Sequence, residues 1–122
     1  MFIRKLAITV AATCAALAST PAAAADSTGA TGFVNKVTVY DDSSDNYGAQ
    51  HGILQVVETG TGTLRNYVWG ASLCPGRELA PDMIQLLVDA LHNRPAVEIV
   101  PSYKTGNGAS RCLVGFTLNY VP

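Results

Sequence analysis

Pro81-Asp82-Met83-Ile84-Gln85-Leu86-Leu87-Val88-Asp89-Ala90-Leu91-His92 is the stretch on which the reading of this chain turns. Proline suits the first position of a helix, where its missing N–H would have no partner anyway. Asp82 sets a negative charge against the positive end of the helix dipole. Pro95 ends the pattern. The segment is therefore predicted to be a helix from Pro81 to His92 or Asn93. Its polar residues, Asp82, Gln85, Asp89, His92 and Asn93, recur every three or four positions and form one narrow stripe. The remaining residues are apolar, so the helix carries apolar surface on at least two faces. One face packs on its own domain. Burying a Leu or Ile is worth roughly 1.5–3 kcal/mol, so leaving a second face in water is unfavourable. Either the barrel wraps further around the helix, or the second face meets a neighbouring subunit; the second is the expectation, a homo-oligomer with Ile84, Val88 and Leu91 at the interface.

The flanks of the helix read as strands. Phe33 to Tyr40 alternates Val37 and Val39 with Lys36, Thr38 and Tyr40. Asp41 to Gly52 has no periodicity and reads as a loop. Ile53 to Val57 and Leu64 to Trp69 form a hairpin around Thr59-Gly60-Thr61-Gly62. Gly70 to Leu79 is irregular. After the helix, Ala96 to Pro101 is a fourth strand, Ser102 to Ser110 a loop, and Arg111 to Tyr120 a fifth strand. A single helix between strands 3 and 4 of five is the layout of an OB-type Greek-key barrel. The expected fold is thus mainly β (α+β), and a ferredoxin-like fold would need a second helix.

The N-terminus carries the three parts of a secretory signal. Arg4 and Lys5 precede an apolar run from Leu6 to Leu17, and Ala22 to Ala25 supplies small residues for cleavage. Residues 1–25 are predicted to be a signal peptide, 26–32 a flexible Gly/Ser/Thr leader, and 33–122 a binding domain. The apolar run is too short to span a membrane, which takes about 20 residues, so no transmembrane segment is expected in the mature chain. Removing 25 of the 122 residues leaves 97, one domain with one modest core. Arg4 and Lys5 leave with the signal, so six basic residues face nine acidic ones, a net charge of −3. An acidic exported domain is a poor nucleic-acid binder. Of three cysteines, Cys74 and Cys112 remain, and an even count in an oxidising compartment reads as a disulfide. A metal or redox pair would want a nearby His or third Cys, and none stands at ligand spacing.

No catalytic residue, cofactor or metal is expected. His51 lies in a polar loop and His92 in the last helical turn, where it suits the dipole. Asp41, Asp42 and Asp45 miss the spacing of a calcium loop and read as a solvated turn. Binding signals are stronger. OB barrels commonly take oligosaccharides or oligonucleotides, and the charge disfavours the latter. Among the aromatics, Trp69 is most simply core, whereas Tyr47 and Tyr103 lie in expected loops and are candidates for a sugar site.

Similar size and short motifs in order add a resemblance. The motifs are Thr31-Gly32-Phe33-Val34, then Val68-Trp69-Gly70-Ala71-Ser72 or alternatively Ala80-Pro81 at the helix start, and Leu113-Val114-Gly115. Together they make most of Thr31 to Leu118 resemble the B subunits of AB5 toxins of the subtilase-cytotoxin and typhoid-toxin type. The resemblance implies an OB fold, a pentameric ring with helices around a pore, binding of cell-surface sialylated glycans, and a possible A subunit. It also implies a glycan-binding role for Thr31, with an aromatic partner near Tyr103. A secreted lectin-like subunit is the first expectation. A periplasmic or secreted inhibitor or immunity-type domain, binding protein through the same loops, is the alternative.

Overall fold

A computed structural model describes residues 25–122. The expected signal peptide, apart from Ala25, lies outside the described residues. The chain forms β1 (Ser27–Thr28), β2 (Gly32–Val39), β3 (Gly52–Glu58), β4 (Leu64–Trp69), α1 (Pro81–His92), β5 (Val97–Thr105), a 3-10 turn (Asn107–Ala109) and β6 (Arg111–Tyr120). β2 pairs with β3, β3 with β4, β4 with β6, β6 with β5, and β5 back with β2, closing a five-stranded barrel. Every pairing is antiparallel except β4–β6. This is the connectivity of an OB-type barrel, mainly β with one helix. The helix follows the third barrel strand, as expected. Counting β1, it lies between the fourth and fifth strands of the chain.

The structure adds to the expected strands in two places, both beside Pro101. The leader, read as flexible, contains β1, whose Ser27 and Thr28 pair with Tyr103 and Ser102. The fourth predicted strand does not stop at Pro101 but runs on to Thr105. β1 and β2 occupy the same edge of β5, interrupted at residues 29–31. Pro101 lies opposite that interruption. Its carbonyl faces the leader and accepts from Gly29 N at 2.8 Å, but it has no N–H to offer the same neighbour. Proline inside a sheet is tolerated where the ladder is already broken. Here the break is in the partner lane, so β5 itself continues.

The core follows from alternation. Val34, Leu54, Val56, Tyr67, Trp69, Ile99 and Leu113 point inward and are buried with Leu79, Leu87 and Ala90. Trp69 is core, as its position suggested. Gly52 lies flat against it, since a Cβ there would stand 2.1 Å from the indole. α1 buries Leu87 and Ala90, and packs Met83, Ile84 and Leu91 against the same cluster. The stripe is wider than the sequence pattern implied. Ile84 and Leu91, expected at a subunit interface, are partly buried against this core, and Val88 is partly buried as well. The large apolar residue left exposed on α1 is Leu86, at 47%.

The disulfide joins Cys74 to Cys112, with Cα atoms 5.7 Å apart. It fastens the irregular segment 70–79 to the start of β6. Closing 38 residues is worth about 3–4 kcal/mol in the chain-entropy model. Among the described residues no helix is long and apolar enough to cross a membrane.

Candidate binding face

Alternation turns Gln55 of β3 and Asn66 of β4 outward, while Asn35 sits where the β2–β3 register shifts between Val34 and Lys36. The three amides join across the sheet. Arg94 Nη1 donates to Asn35 Oδ1 at 2.9 Å, Asn35 Nδ2 to Gln55 Oε1 at 2.7 Å, and Gln55 Nε2 to Asn66 Oδ1 at 3.3 Å. Each oxygen accepts from the previous donor and each amide donates to the next, an arrangement in which the bonds polarise one another. Arg94 is itself steadied 5.8 Å from the Phe33 ring. The ladder leaves the Asn66 amide N–H groups as outward donors.

Asn66 stands between two hollows. One, of about 70 Å3, is lined by Lys36, Thr38, Ile53, Gln55 and Asn66. The other, of about 360 Å3, is lined by Arg65, Asn66, Val68, Ala109, Ser110 and Arg111. The second opens between the third barrel strand and the loop joining the fourth to the fifth, a region where OB barrels commonly hold ligands. Glu58 Oε1 accepts from Arg65 Nε at 3.1 Å. The Arg111 guanidinium lies 5.3 Å from the Tyr103 ring centroid. The Tyr103 ring is in turn 5.6 Å from that of Tyr67. Tyr67 is fully buried and its hydroxyl has no hydrogen-bond partner. Burial pushes this phenol above its ordinary pKa, against the pull of Arg111.

The loop bearing Ser110 is held from outside. Asn107 N donates to Leu73 O at 2.9 Å and Asn107 Nδ2 to Ser72 O at 2.7 Å. Ser72 N and Leu73 N donate to Gly48 O and Ala49 O in the β2–β3 loop. Three loops and the Cys74–Cys112 disulfide thus form one clamp beside the larger hollow.

The three residues expected to share a sugar site are not gathered there. Tyr103 adjoins the hollow through Arg111. Thr31 immediately precedes β2, and its carbonyl accepts from Thr59 N and Oγ1, each at 3.1 Å. Tyr47 lies in the loop at the other end of the β2–β3 hairpin, stacked on His51 with ring centroids 3.8 Å apart. His51 Nδ1 meets Glu78 Oε1 at 2.6 Å. The acidic loop uses its own carboxylate, since Asp41 Oδ2 accepts from Ser43 Oγ at 2.6 Å. The amide ladder and both arginines were missed from sequence. The available signal was an outward amide in neighbouring strands, Gln55 in ILQVV and Asn66 in LRNYVW.

A different surface is apolar. Leu86, Ala90, Val97, Leu118 and Tyr120 line a groove of about 260 Å3 between α1 and the strand ends, rimmed by Asp89 and Asn93. Tyr120 is 79% exposed.

Compared with family models, curated proteins and solved structures, the chain matches none.

Proposed function

We propose that this protein is an exported glycan-binding domain whose ligand lies on the outer face of β3 and β4. The observation that carries the reading is the amide ladder ending at Asn66, between two hollows on a face OB barrels commonly use. Planar amides oriented in advance suit hydroxyl-rich ligands, because no side-chain freedom is lost on binding. The test is a saccharide array followed by titration of the best ligand. Asn66→Ala is expected to weaken binding roughly three- to tenfold, the worth of one hydrogen bond. Thr31→Ala, carried over from the AB5 resemblance, is expected to matter less. An array with no bound saccharide overturns the reading.

A second reading, an inhibitor or immunity-type domain, is favoured by the apolar groove at Leu86 and Tyr120. The ring assembly belongs to the first reading and would cover the same groove with another copy. Light scattering on the purified protein separates them. A mass of several chains that falls to one in Leu86→Asp supports the ring. A monomer at high concentration overturns it and leaves the groove to a different protein.

A further inference from the structure

We propose that Arg94, at the far end of the amide ladder, sets which hydrogen-bonding group the binding face presents: it orients Asn66 so that the ligand oxygen held there must be an acceptor. The inference rests on the glycan reading above and names a positioning residue for that site.

The direction of the ladder follows from the chemistry of its first member. A guanidinium has five N–H donors and no acceptor. An Asn or Gln amide can instead be turned end for end, and its shape alone does not choose between the two orientations. Arg94 Nη1 lies 2.9 Å from Asn35, so the atom facing it must be Oδ1. Asn35 Nδ2 is then left to face Gln55, whose Oε1 accepts at 2.7 Å. Gln55 in turn offers Nε2 to Asn66, its registered partner across the strands, whose Oδ1 accepts at 3.3 Å. Each orientation is forced by the one before it. The group left over is the Asn66 amide NH2, and among the described residues nothing accepts from it. A group that only accepts, placed where Arg94 stands, would turn the ladder round and leave Asn66 Oδ1 outward.

The fold departs from regular pairing to build this relay. Strand alternation sends Val34 to the core and would send Lys36 after it. Instead the register shifts between them, so that Lys36 stands opposite outward Gln55 and Val37 packs on the core opposite Leu54. Asn35 is the extra residue, and a bulge of this kind re-aims a side chain. Its amide thereby meets Arg94 from 59 positions away on one side and Gln55 from 20 on the other. Among the described residues no carboxylate pairs with Arg94, whose other contact is the Phe33 ring at 5.8 Å. A bond from a charged donor is stronger than one between two amides. The head of the ladder is therefore its firmest link, and it polarises the bonds beyond it.

The experiment has two arms. In the first, NMR of the ligand-free protein follows the side-chain amides of Asn35, Gln55 and Asn66. Arg94→Met removes the obligate donor and keeps an aliphatic stem, and Arg94→Lys keeps a group that only donates. In Arg94→Met all three amide signals should move, Asn66 included, while the backbone signals of Leu54 and Tyr67 stay in place. In Arg94→Lys they should lie close to wild type. In the second arm, the probe is the saccharide that binds best on the array, with each hydroxyl in turn replaced by hydrogen or by a methyl ether. The ether keeps the acceptor and loses the donor, whereas the deoxy position loses both. At one position the ether is expected to bind within about threefold of the parent and the deoxy form roughly three- to tenfold more weakly. Arg94→Met should shrink that difference to less than about twofold, and Arg94→Lys should restore it. A merely structural Arg94 would weaken every analogue alike. Asn66→Asp, nearly isosteric, inverts the last group without touching Arg94, and it should reject the ether while still binding the parent hydroxyl, which can donate to it. Asn66 signals unmoved in Arg94→Met, or no position at which the ether outbinds the deoxy form, overturn this inference while the glycan reading survives. If the array binds no saccharide the glycan reading fails, and the Asn66 signals in Arg94→Met still decide whether Arg94 orients the face.

Discussion

β6 has two neighbours, and it is joined to them very differently. With β5 it pairs along the whole strand, from Val97↔Tyr120 to Thr105↔Arg111, antiparallel throughout. With β4 it shares one registered pair, Val68↔Cys112, and the strands run parallel. Parallel pairing is slightly weaker per residue, so the second seam is thin in extent as well as in kind. The larger hollow lies beside that seam, between Asn66 and Val68 on one side and Ser110 and Arg111 on the other. The hollow with two arginines in its lining thus lies beside one of the barrel's two single-pair seams, the other being β2–β5 at Gly32↔Ile99. Cys112, the residue that makes the one pair, is also half of the disulfide. A covalent tie stands where a ladder of hydrogen bonds would otherwise close the barrel.

The largest effect should come from cutting that tie. The double substitution Cys74→Ser with Cys112→Ser is expected to cost about 3–4 kcal/mol. For a domain of this size that lowers the melting temperature by roughly 15–30 °C. The loss should also be local. Hydrogen exchange should show the amides of Val68 and residues 109–113 losing protection before those of β5. Uniform loss across both seams would show that β4–β6 is no weaker than β5–β6.

A smaller effect is expected on the other edge of β5, where the lane is broken between β1 and β2. Gly29 sits in that break, and a Cβ there would stand 2.2 Å from Tyr67 Oη. Gly29→Ala is therefore expected to destabilise by about 1–3 kcal/mol through overpacking. Tyr67→Phe removes both the obstacle and a buried hydroxyl with no partner. Alone it should be neutral or stabilising by up to about 1 kcal/mol, and in combination it should relieve most of the Gly29→Ala cost. Chemical denaturation of the four proteins measures the coupling. Additive effects would mean that the phenol does not set the spacing of this edge.

Much of the architecture could be read from the chain because its signals are local. Pro81 and Asp82 start the helix, Pro95 lies just beyond it, and Thr59 to Gly62 turns the hairpin. Alternation in GILQVVE and LRNYVW separates core from surface. Pro101 misled because its local meaning, a strand breaker, depends on a neighbour about 70 positions away that the sequence does not display. Ile84 and Leu91 are partly buried against the chain's own core, a contact the helical pattern alone does not display, since the width of a buried helical stripe is set by the curvature of the barrel beneath it. The candidate site was hidden more deeply. Arg94 meets Asn35 across 59 positions and Asn35 meets Gln55 across 20, and no single segment carries that pattern. Aromatics in expected loops drew attention to Tyr47 and Tyr103. Only Tyr103 reaches the hollow, through Arg111.

The smallest effect concerns how far the clamp on the thin seam extends. The β2–β3 loop joins it at Gly48 and Ala49, which accept from Ser72 and Leu73. The same loop begins with a turn of its own, in which Ser43 donates to Asp41 Oδ2 from its hydroxyl at 2.6 Å and from its backbone N at 3.4 Å. These bonds, the hydroxyl first, hold the Asp41 carboxyl below the ordinary carboxylate range. A lowered folded pKa adds stability above the unfolded value, near 3.9, and that contribution is lost as pH falls through the folded one. The carboxylate is fully exposed, so its share is slight. Ser43→Ala removes the stronger donor and keeps the backbone one. Titration of the Asp41 carboxyl by NMR should then show its pKa rising part of the way toward the ordinary value. Exchange at Val68 and residues 109–113 should not change, because the side-chain bonds between Asp41 and Ser43 stay within their own turn. If protection there falls as well, the clamp reaches back to the first residues of the loop, and the thin seam is held by more than the disulfide and the bonds at Gly48, Ala49 and Asn107.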